Sequence, residues 1–528
     1  MISLSPLLKR EKFDVILITG DVYIDHPLTG TSVIARVLDN EGYKVGIIQT
    51  PDWKKDRDFT KLGEPRLFFG ISSGAMDSML DNYTPLLKSR RDDRHRKYRS
   101  LKPDRAVTVY SNMVRKNFKN SPIVIGGVEA SLRRLAHYDY WSNKVRRSIL
   151  LDTRADILAY GNAEHAIVEI ARRYEKGQPL DGIEGTCIAR NHVPKGFKEI
   201  PSFDDVSNEK TKFCEMQMAI SNDADLAQKT GDKFILQYRS HRYTQKELDH
   251  IYELGYSRTV PPEANYFKGM QFSVVTHRGC IGNCSFCSIA LHQGTHIVSR
   301  SEKSILGEIK RLTEHKDFKG YIDDLGGPSA NMFGMDCDGC GVNCLRCKKL
   351  DRSHSKLISL MGKARQIEGV KKIFVRSGIR YDIAVDSEEY IKDVTEHHTS
   401  GFLKIAPEHC SKDVLILMNK YFSGKLDKFS QTFQRASKGS GKYLKYYFIV
   451  AHPGSSEKEA EELKLFIKGL GGNAIVQMFT PTPMSASTCM YYTGVNPHTG
   501  EEIYVPYTFR EKKVQKEIAM TAEHSRKM

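Results

Sequence analysis

No stretch of the 528-residue chain approaches the roughly 20 consecutive apolar residues of a membrane-spanning helix, so no membrane partner is expected. Residues 1–15 lack a long apolar core and a small-residue cleavage site, so no secretory signal is read there. Long repeats and low-complexity segments are missing as well, which sets aside a repeat architecture. Acidic residues are in deficit: 64 Asp and Glu against 80 Lys and Arg leave a net charge of +16. A positive chain attracts polyanions, so RNA or DNA is a candidate partner. The densest basic run, 88–97, carries two interleaved aspartates and fits a solvated surface equally well. A disulfide framework is also lacking. Seven of the eleven cysteines fall in two tight clusters, while Cys187, Cys214, Cys410 and Cys489 are scattered. That distribution suits a reducing cytoplasm and metal binding.

What is present is an ordinary globular composition, 40% hydrophobic and 27% charged. At about 100–200 residues per domain, the length predicts two to four domains. Residues 1–195 alternate apolar runs with amphipathic stretches. Strands are expected at 13–19, 44–49, 66–71, 106–110, 122–125 and 156–160, with helices at 32–38 and 163–176. The fold class is therefore α/β, beginning with a doubly wound, Rossmann-like domain. Residues 196–265 read as a polar connector, with a surface loop at 202–212, helical patterns at 223–228 and 245–254, and a strand at 232–237.

From 266 to 500 a regular rhythm appears. Strands at 271–275, 321–324, 372–376, 402–405, 443–450 and 474–479 alternate with helical stretches, the first near 302–314. Ser299 with Glu302, Asp386 with Glu389, and Ser456 with Glu459 have the spacing of helix-start caps. Six β/α units in succession suit an open, partial (β/α)6 barrel, with its active face where strands end and loops begin. Residues 501–528 read as a C-terminal tail.

The loop after the first of these strands carries Cys280-Ile-Gly-Asn-Cys284-Ser-Phe-Cys287. Three thiolates can hold three corners of a cubane iron–sulfur cluster and leave the fourth iron open. Structural zinc prefers four ligands in C-x2-C pairs, which this run does not supply. The C-x3-C-x2-C spacing, with Phe286 before the last cysteine, resembles the radical-SAM family. That resemblance implies a [4Fe–4S] cluster on Cys280, Cys284 and Cys287. It further implies S-adenosylmethionine (SAM) on the open iron, and reductive cleavage of SAM to start radical chemistry. A low-potential electron donor of the flavodoxin or ferredoxin type is implied with it.

The same resemblance nominates SAM contacts. Gly326 and Gly327 stand where family members offer backbone to the SAM ammonium, but Pro328 replaces the usual glutamate. Ser377, Arg380 and Asp382 match a ribose-contacting segment, and Glu408 a glutamate near SAM. His409 reads as structural. A second group, Cys337, Cys340, Cys344 and Cys347, gives four soft ligands within eleven residues. It is expected to bind metal, either zinc or an auxiliary iron–sulfur cluster.

Longer runs narrow the resemblance. Gly20-Asp-Val-Tyr-Ile-Asp-His26-Pro, Gly126-Gly-Val-Glu-Ala-Ser-Leu-Arg-Arg, Asp324-Leu-Gly-Gly-Pro and Gln477-Met-Phe-Thr-Pro-Thr-Pro483 are similar to the YgiQ family of uncharacterised bacterial radical-SAM proteins. The resemblance implies a cytoplasmic radical-SAM enzyme whose substrate is unidentified, RNA or another macromolecule being one candidate. Two alternatives stay open: a catalytically idle, metal-bearing nucleic-acid-binding protein, and a radical-SAM methyl- or methylthiotransferase. The first loop lacks the D-x-H-x-x-G spacing of cobalamin ligation, because Asp25 directly precedes His26. Cobalamin is therefore not expected.

Overall fold

The computed structural model describes residues 12–90, 102–337, 344–471 and 473–524. Most of the basic run (91–97) and Cys340 lie outside the described residues. The chain forms two compact units. The first comprises residues 1–242, 254–268 and 481–493; the second comprises 243–253, 269–480 and 494–528.

The first unit is built on one nine-stranded sheet. Strand β1 (Val15–Thr19) is buried along its whole length, as its unbroken Val-Ile-Leu-Ile run requires of a central parallel strand. It pairs in parallel with β2 (Val45–Gln49) on one side and β3 (Phe68–Ser72) on the other. Next in the chain come β4 (Ile123–Ile125) and a small hairpin of β5 (His137–Asp139) and β6 (Lys144–Arg146). They are followed by β7 (Ile157–Ala159), β8 (Thr186–Arg190), β9 (Lys198–Ile200), β10 (Leu226–Thr230) and β11 (Lys233–Gln237). The sheet order is β2-β1-β3-β4-β7-β8-β11-β10-β9. The first five strands are all parallel, whereas β8 runs antiparallel to both β7 and β11. Residues 198–237, placed between domains in the sequence reading, thus supply three strands of this sheet.

Three expectations fail in this unit for local reasons. Residues 106–110, read as a strand from their β-branched run, begin the helix Ala106–Asn117. Its buried positions Ala106, Val107, Tyr110 and Val114 follow a helical period, which outweighs β-propensity. Residues 202–212, read as a loop, lie largely in the helices Phe203–Asn208 and Lys210–Ala219, the first started by a Ser202/Asp205 capping box. The polar stretch 223–228, read as helical, runs into strand β10, where Leu226, Ala227 and Gln228 are buried.

The second unit strings short parallel ladders together. Its strands are β12 (Val274–Val275), β13 (His277–Arg278), β14 (Val298–Ser299), β15 (Tyr321–Ile322), β16 (Leu325–Gly326), β17 (Lys372–Ile373), β18 (Phe402–Glu408), β19 (Tyr443–Val450) and β20 (Ala474–Met478). Parallel pairs join β12 to β16, β15 to β17, and β18 to β19 to β20. One continuous core gathers Val274, Ile322, Ile373, Leu403, Phe448 and Val476 with helix residues such as Ile305, Leu360, Ile391 and Phe429. The caps are partly displaced from expectation. Ser301 caps Glu302–Thr313 and Ser387 caps Glu388–His398, in place of Ser299 and Asp386. Ser299 Oγ instead accepts a hydrogen bond from Gly334 N–H at 2.9 Å. Ser456 and Glu459 do form the capping box of Glu457–Gly469.

Residues 509–524 form a helix (Phe509–His524) that packs on Glu457–Gly469 and sends Ala519 into the same core. Buried Gln515 fixes it: its amide donates to Ser455 O at 2.7 Å and its carbonyl accepts from Ala451 N–H at 2.9 Å. Among the described residues, no helix is long and apolar enough to cross a membrane.

Candidate metal centre

The cysteine loop is pinned at its base by β13 pairing with β14, antiparallel, so that residues 279–297 project as one excursion. Gly279 enters it with φ +85°, and a Cβ there would overlap the His296 carbonyl oxygen, so no other residue fits. A Cβ at Gly282 would overlap Arg380 Nη1, which makes this glycine the opening through which the guanidinium reaches the loop. From the far side, Ser285 N–H donates to Met418 O at 3.0 Å and Asn419 Nδ2 donates to Asn283 O at 2.9 Å. Phe286 packs against the apolar cluster of Val414, Leu415 and Met418.

Within this frame the three cysteines are half-buried. Burial, and then the neighbouring Cys284 sulfur, push the Cys287 thiol up to about 12. Cys280 is raised by burial as well, with Cys284 adding to it. A Cβ on Gly282 would lie 3.3 Å from Cys280 Sγ and against the same Arg380 Nη1 that reaches Cys284 Sγ, so these two sulfurs flank one guanidinium, as two corners of one cluster would. The donor set therefore fits an iron–sulfur cluster held by three thiolates. Iron binding must displace protons that burial holds in place.

Two buried cations stand beside the loop. Arg380 Nη1 donates to Cys284 Sγ at 3.3 Å, while its Nη2 and Nε bind Asp382 at 2.8 and 3.1 Å. Burial works to lower the Arg380 pKa, but Asp382 and the Cys284 sulfur outweigh it and hold it well above the ordinary value. Lys420, equally buried, donates to Glu408 Oε1 at 3.0 Å. Burial would depress it too, yet Glu408 and then Cys284 raise its pKa. Glu408 sits at the end of β18 with φ +72°, a left-handed conformation rare for a non-glycine residue.

The proposed SAM contacts line up at the ends of the parallel strands. Thr276 N–H donates to Gly326 O at 2.8 Å, which sets the Gly326-Gly327 turn beside the base of the cysteine loop. A Cβ on Gly326 would lie 2.9 Å from Ser377 Oγ, so these two candidates adjoin. Asp324 accepts the backbone N–H groups of Arg376 and Ser377 at 2.6 and 3.1 Å and ties the second turn to the third. Its own pKa is raised by burial. Buried His409 accepts the Ser411 N–H at 3.0 Å through Nδ1. In the second cysteine group, Cys344 and Cys347 flank a short 3-10 turn, and Cys337 is exposed. Cys344 packs in the same apolar cluster as Cys280, with Ile281, Met335 and Leu345.

A family model described as Radical SAM N-terminal matches residues 6–273. The UPF0313 protein MJ1155 of Methanocaldococcus jannaschii is 45% identical over 97% of this chain and 90% of its own length. A UPF0313 protein of Clostridium botulinum, CLJ_B0249, is 44% identical over 97% of this chain and 86% of its own. The chain belongs to the UPF0313 family. Its membership in this uncharacterised radical-SAM group is the one the motif runs implied, with a Methanocaldococcus relative widening it beyond bacteria. Among solved structures, the radical SAM methyltransferase TsrM from Kitasatospora setae, bound to tryptophan and aza-SAM, aligns with TM-score 0.53 at 15% identity. The alignment covers 90% of this chain and 76% of TsrM. The cobalamin-dependent SAM radical enzyme OxsB aligns with TM-score 0.51 at 13% identity, over 90% of this chain and 55% of OxsB. At these identities the likeness establishes a shared radical-SAM-like α/β fold.

Several residues of this UPF0313 site escaped the sequence reading. Lys420 is a single lysine 136 positions from Cys284, with no local pattern to mark it. Asn331 accepts the Arg380 N–H at 2.8 Å and donates to the Arg380 carbonyl at 3.0 Å, clamping that backbone. Its place after Gly-Gly-Pro-Ser-Ala was a signal that could have been used. In the first unit, both ring nitrogens of His26 are engaged: Nδ1 accepts Leu28 N–H at 3.0 Å, and Nε2 lies 2.9 Å from Arg258 Nη1.

Proposed function

We propose that this protein is a radical-SAM enzyme that cleaves SAM reductively on a [4Fe–4S] cluster held by Cys280, Cys284 and Cys287. The observation that carries the reading is the half-buried three-cysteine loop with the buried Arg380 guanidinium donating to Cys284 Sγ. A cluster and SAM bound there supply a one-electron cleavage of the sulfonium C–S bond. The chain's own residues bind, orient and exclude water. Arg380 and Lys420 offset the negative charge of the sulfurs, and Asp382 and Glu408 fix those cations in place. Gly326 and Gly327 offer backbone carbonyls to the SAM ammonium; with Pro328 in place of a glutamate, that contact rests on backbone alone. Ser377 adjoins them as a hydroxyl partner for the ribose.

In this reading the second unit is a partial (β/α)6 barrel, supported by its four parallel strand pairs and the core that runs beneath them. The first unit is a Rossmann-like sheet, supported by its five parallel strands. A flavodoxin- or ferredoxin-type protein supplies the electron. The second cysteine group holds zinc or an auxiliary cluster, and its packing beside Cys280 favours a role near the first cluster. The substrate is a macromolecule, nucleic acid being the class that the net charge of +16 favours.

The test is anaerobic reconstitution with iron and sulfide, followed by SAM and strong reductant. Methionine and 5′-deoxyadenosine are expected. Cys284→Ala should lose cluster absorbance and turnover together. A wild-type cluster whose electron paramagnetic resonance signal is unmoved by SAM would overturn the reading.

A further inference from the structure

The first unit brings together a second set of metal-ligand side chains, remote in sequence from every cysteine cluster. Strand β7 closes the run of five parallel strands, and β8 beside it runs the other way, between β7 and β11. At this change of direction three chain segments converge. His165 lies in the first turn of the helix Glu164–Lys176, which follows β7. Glu184 immediately precedes the β8 approach, and His241 follows the end of β11. Backbone hydrogen bonds lock the segments side by side: Tyr160 N–H to Gly185 O at 2.9 Å and Gly185 N–H to Arg239 O at 2.8 Å.

The side chains meet closely. The His165 and His241 rings stack with centroids 4.0 Å apart and planes 8° from parallel. His241 Nδ1 lies 2.9 Å from a Glu184 carboxylate oxygen. One ligand atom from each of the three falls within 4.8 Å of the others. All three residues are half-buried, so an ion has a route in and a water has room to complete the shell. Arg239 Nε stands 3.6 Å from the other Glu184 oxygen on a largely exposed side chain.

We propose that His165, Glu184 and His241 form a binding site for a divalent transition-metal ion, with Zn2+ as its ligand of choice. Two imidazoles and one carboxylate are the borderline donors that zinc accepts, with ligand distances of about 2.0–2.2 Å. Tetrahedral coordination at those distances sets donors about 3.3 Å apart, so closure draws the donors in by up to about 1.5 Å and turns the stacked rings until their in-plane lone pairs converge on the ion. The ion takes the place of the hydrogen bond between His241 Nδ1 and Glu184, and the imidazole binds in its neutral form with its one N–H on Nε2. Thus bound, it fastens the ends of β7, β8 and β11 where the sheet reverses. The soft thiolates of the second unit belong to iron–sulfur chemistry; this harder nitrogen–oxygen set selects a different ion.

The experiment uses the anaerobically reconstituted full-length protein, its cysteines occupied, and titrates it with Co2+ alone. One added equivalent is expected, with ligand-field absorption and no new thiolate-to-cobalt charge-transfer band. His165→Ala and His241→Ala should each weaken this uptake at least tenfold while cluster content stays unchanged. Glu184→Gln keeps the shape of the side chain and should weaken it severalfold, which guards against misfolding of the alanine variants. Zn2+ should raise the thermal midpoint of the wild type and not of the variants. Equal uptake by wild type and Glu184→Gln, or uptake that shows only charge-transfer bands, overturns the proposal.

Discussion

Arg380 shows what a single residue contributes at the metal centre. It is a buried cation with two obligations, a carboxylate at Asp382 and a sulfur at Cys284. Removing one member of a buried pair strands the other, which typically costs about 3–5 kcal/mol, whereas replacing both can be nearly neutral. Arg380→Gln is therefore expected to lower the urea midpoint strongly and to reduce iron content. Arg380→Gln with Asp382→Asn should recover most of the stability while iron content stays low. Additive losses in the double variant, read in the same urea titration, would show that the two side chains do not act as a pair. Arg380 and Asp382 were legible only through the family resemblance, which nominated them as ribose contacts. The sequence could not display Lys420, nor the approach of Cys214 and Cys489, whose sulfurs lie 3.7 Å apart across 275 positions. Long-range proximity is created by topology, and no local pattern encodes it.

At the scale of elements, periodicity was readable where one face is buried and unreadable where local signals conflict. Strands β1 and β19 and the helix Glu164–Lys176 stand close to where apolar spacing put them. The helix Ala106–Asn117 was hidden because Ala-Val-Thr-Val-Tyr satisfies a strand pattern until the turn beyond it is counted. Caps were legible in kind and off in register: Ser387 and Ser301 do the work that neighbouring residues seemed fit to do. Where the capping box is complete, its worth can be measured. Ser456 accepts the Lys458 N–H at 3.2 Å and both its backbone N–H and hydroxyl reach Glu459. Ser456→Ala should cost about 1 kcal/mol. The loss should register as a lowered urea midpoint at unchanged slope, because the helix Glu457–Gly469 carries both core residues and the docked helix Phe509–His524. A changed slope would mean that the C-terminal helix detaches as a separate step.

Across the whole molecule, buried histidines couple folding to pH. Burial pushes His277, His354 and His409 down to about 4 and His452 to about 3, all in the second unit, against an ordinary value of 6.5. Between these values the unfolded chain binds protons that the folded chain refuses. Stability is therefore fully present above about pH 6.5 and is lost as the pH falls toward 4. By pH 5 each such histidine costs on the order of 2 kcal/mol, and four together rival the 5–15 kcal/mol that holds a typical domain. Urea unfolding of the metal-free chain, followed by far-ultraviolet circular dichroism, should show a midpoint that drops steeply from pH 7 to pH 5 and changes little between pH 7 and pH 8. Cluster-free protein is the right sample, because acid also strips iron from thiolates. His409→Gln should flatten part of that drop, since an amide of similar size does not take up the proton. A midpoint independent of pH over this range would mean that the folded chain admits the protons after all, and that these rings open to water more freely than their packing implies.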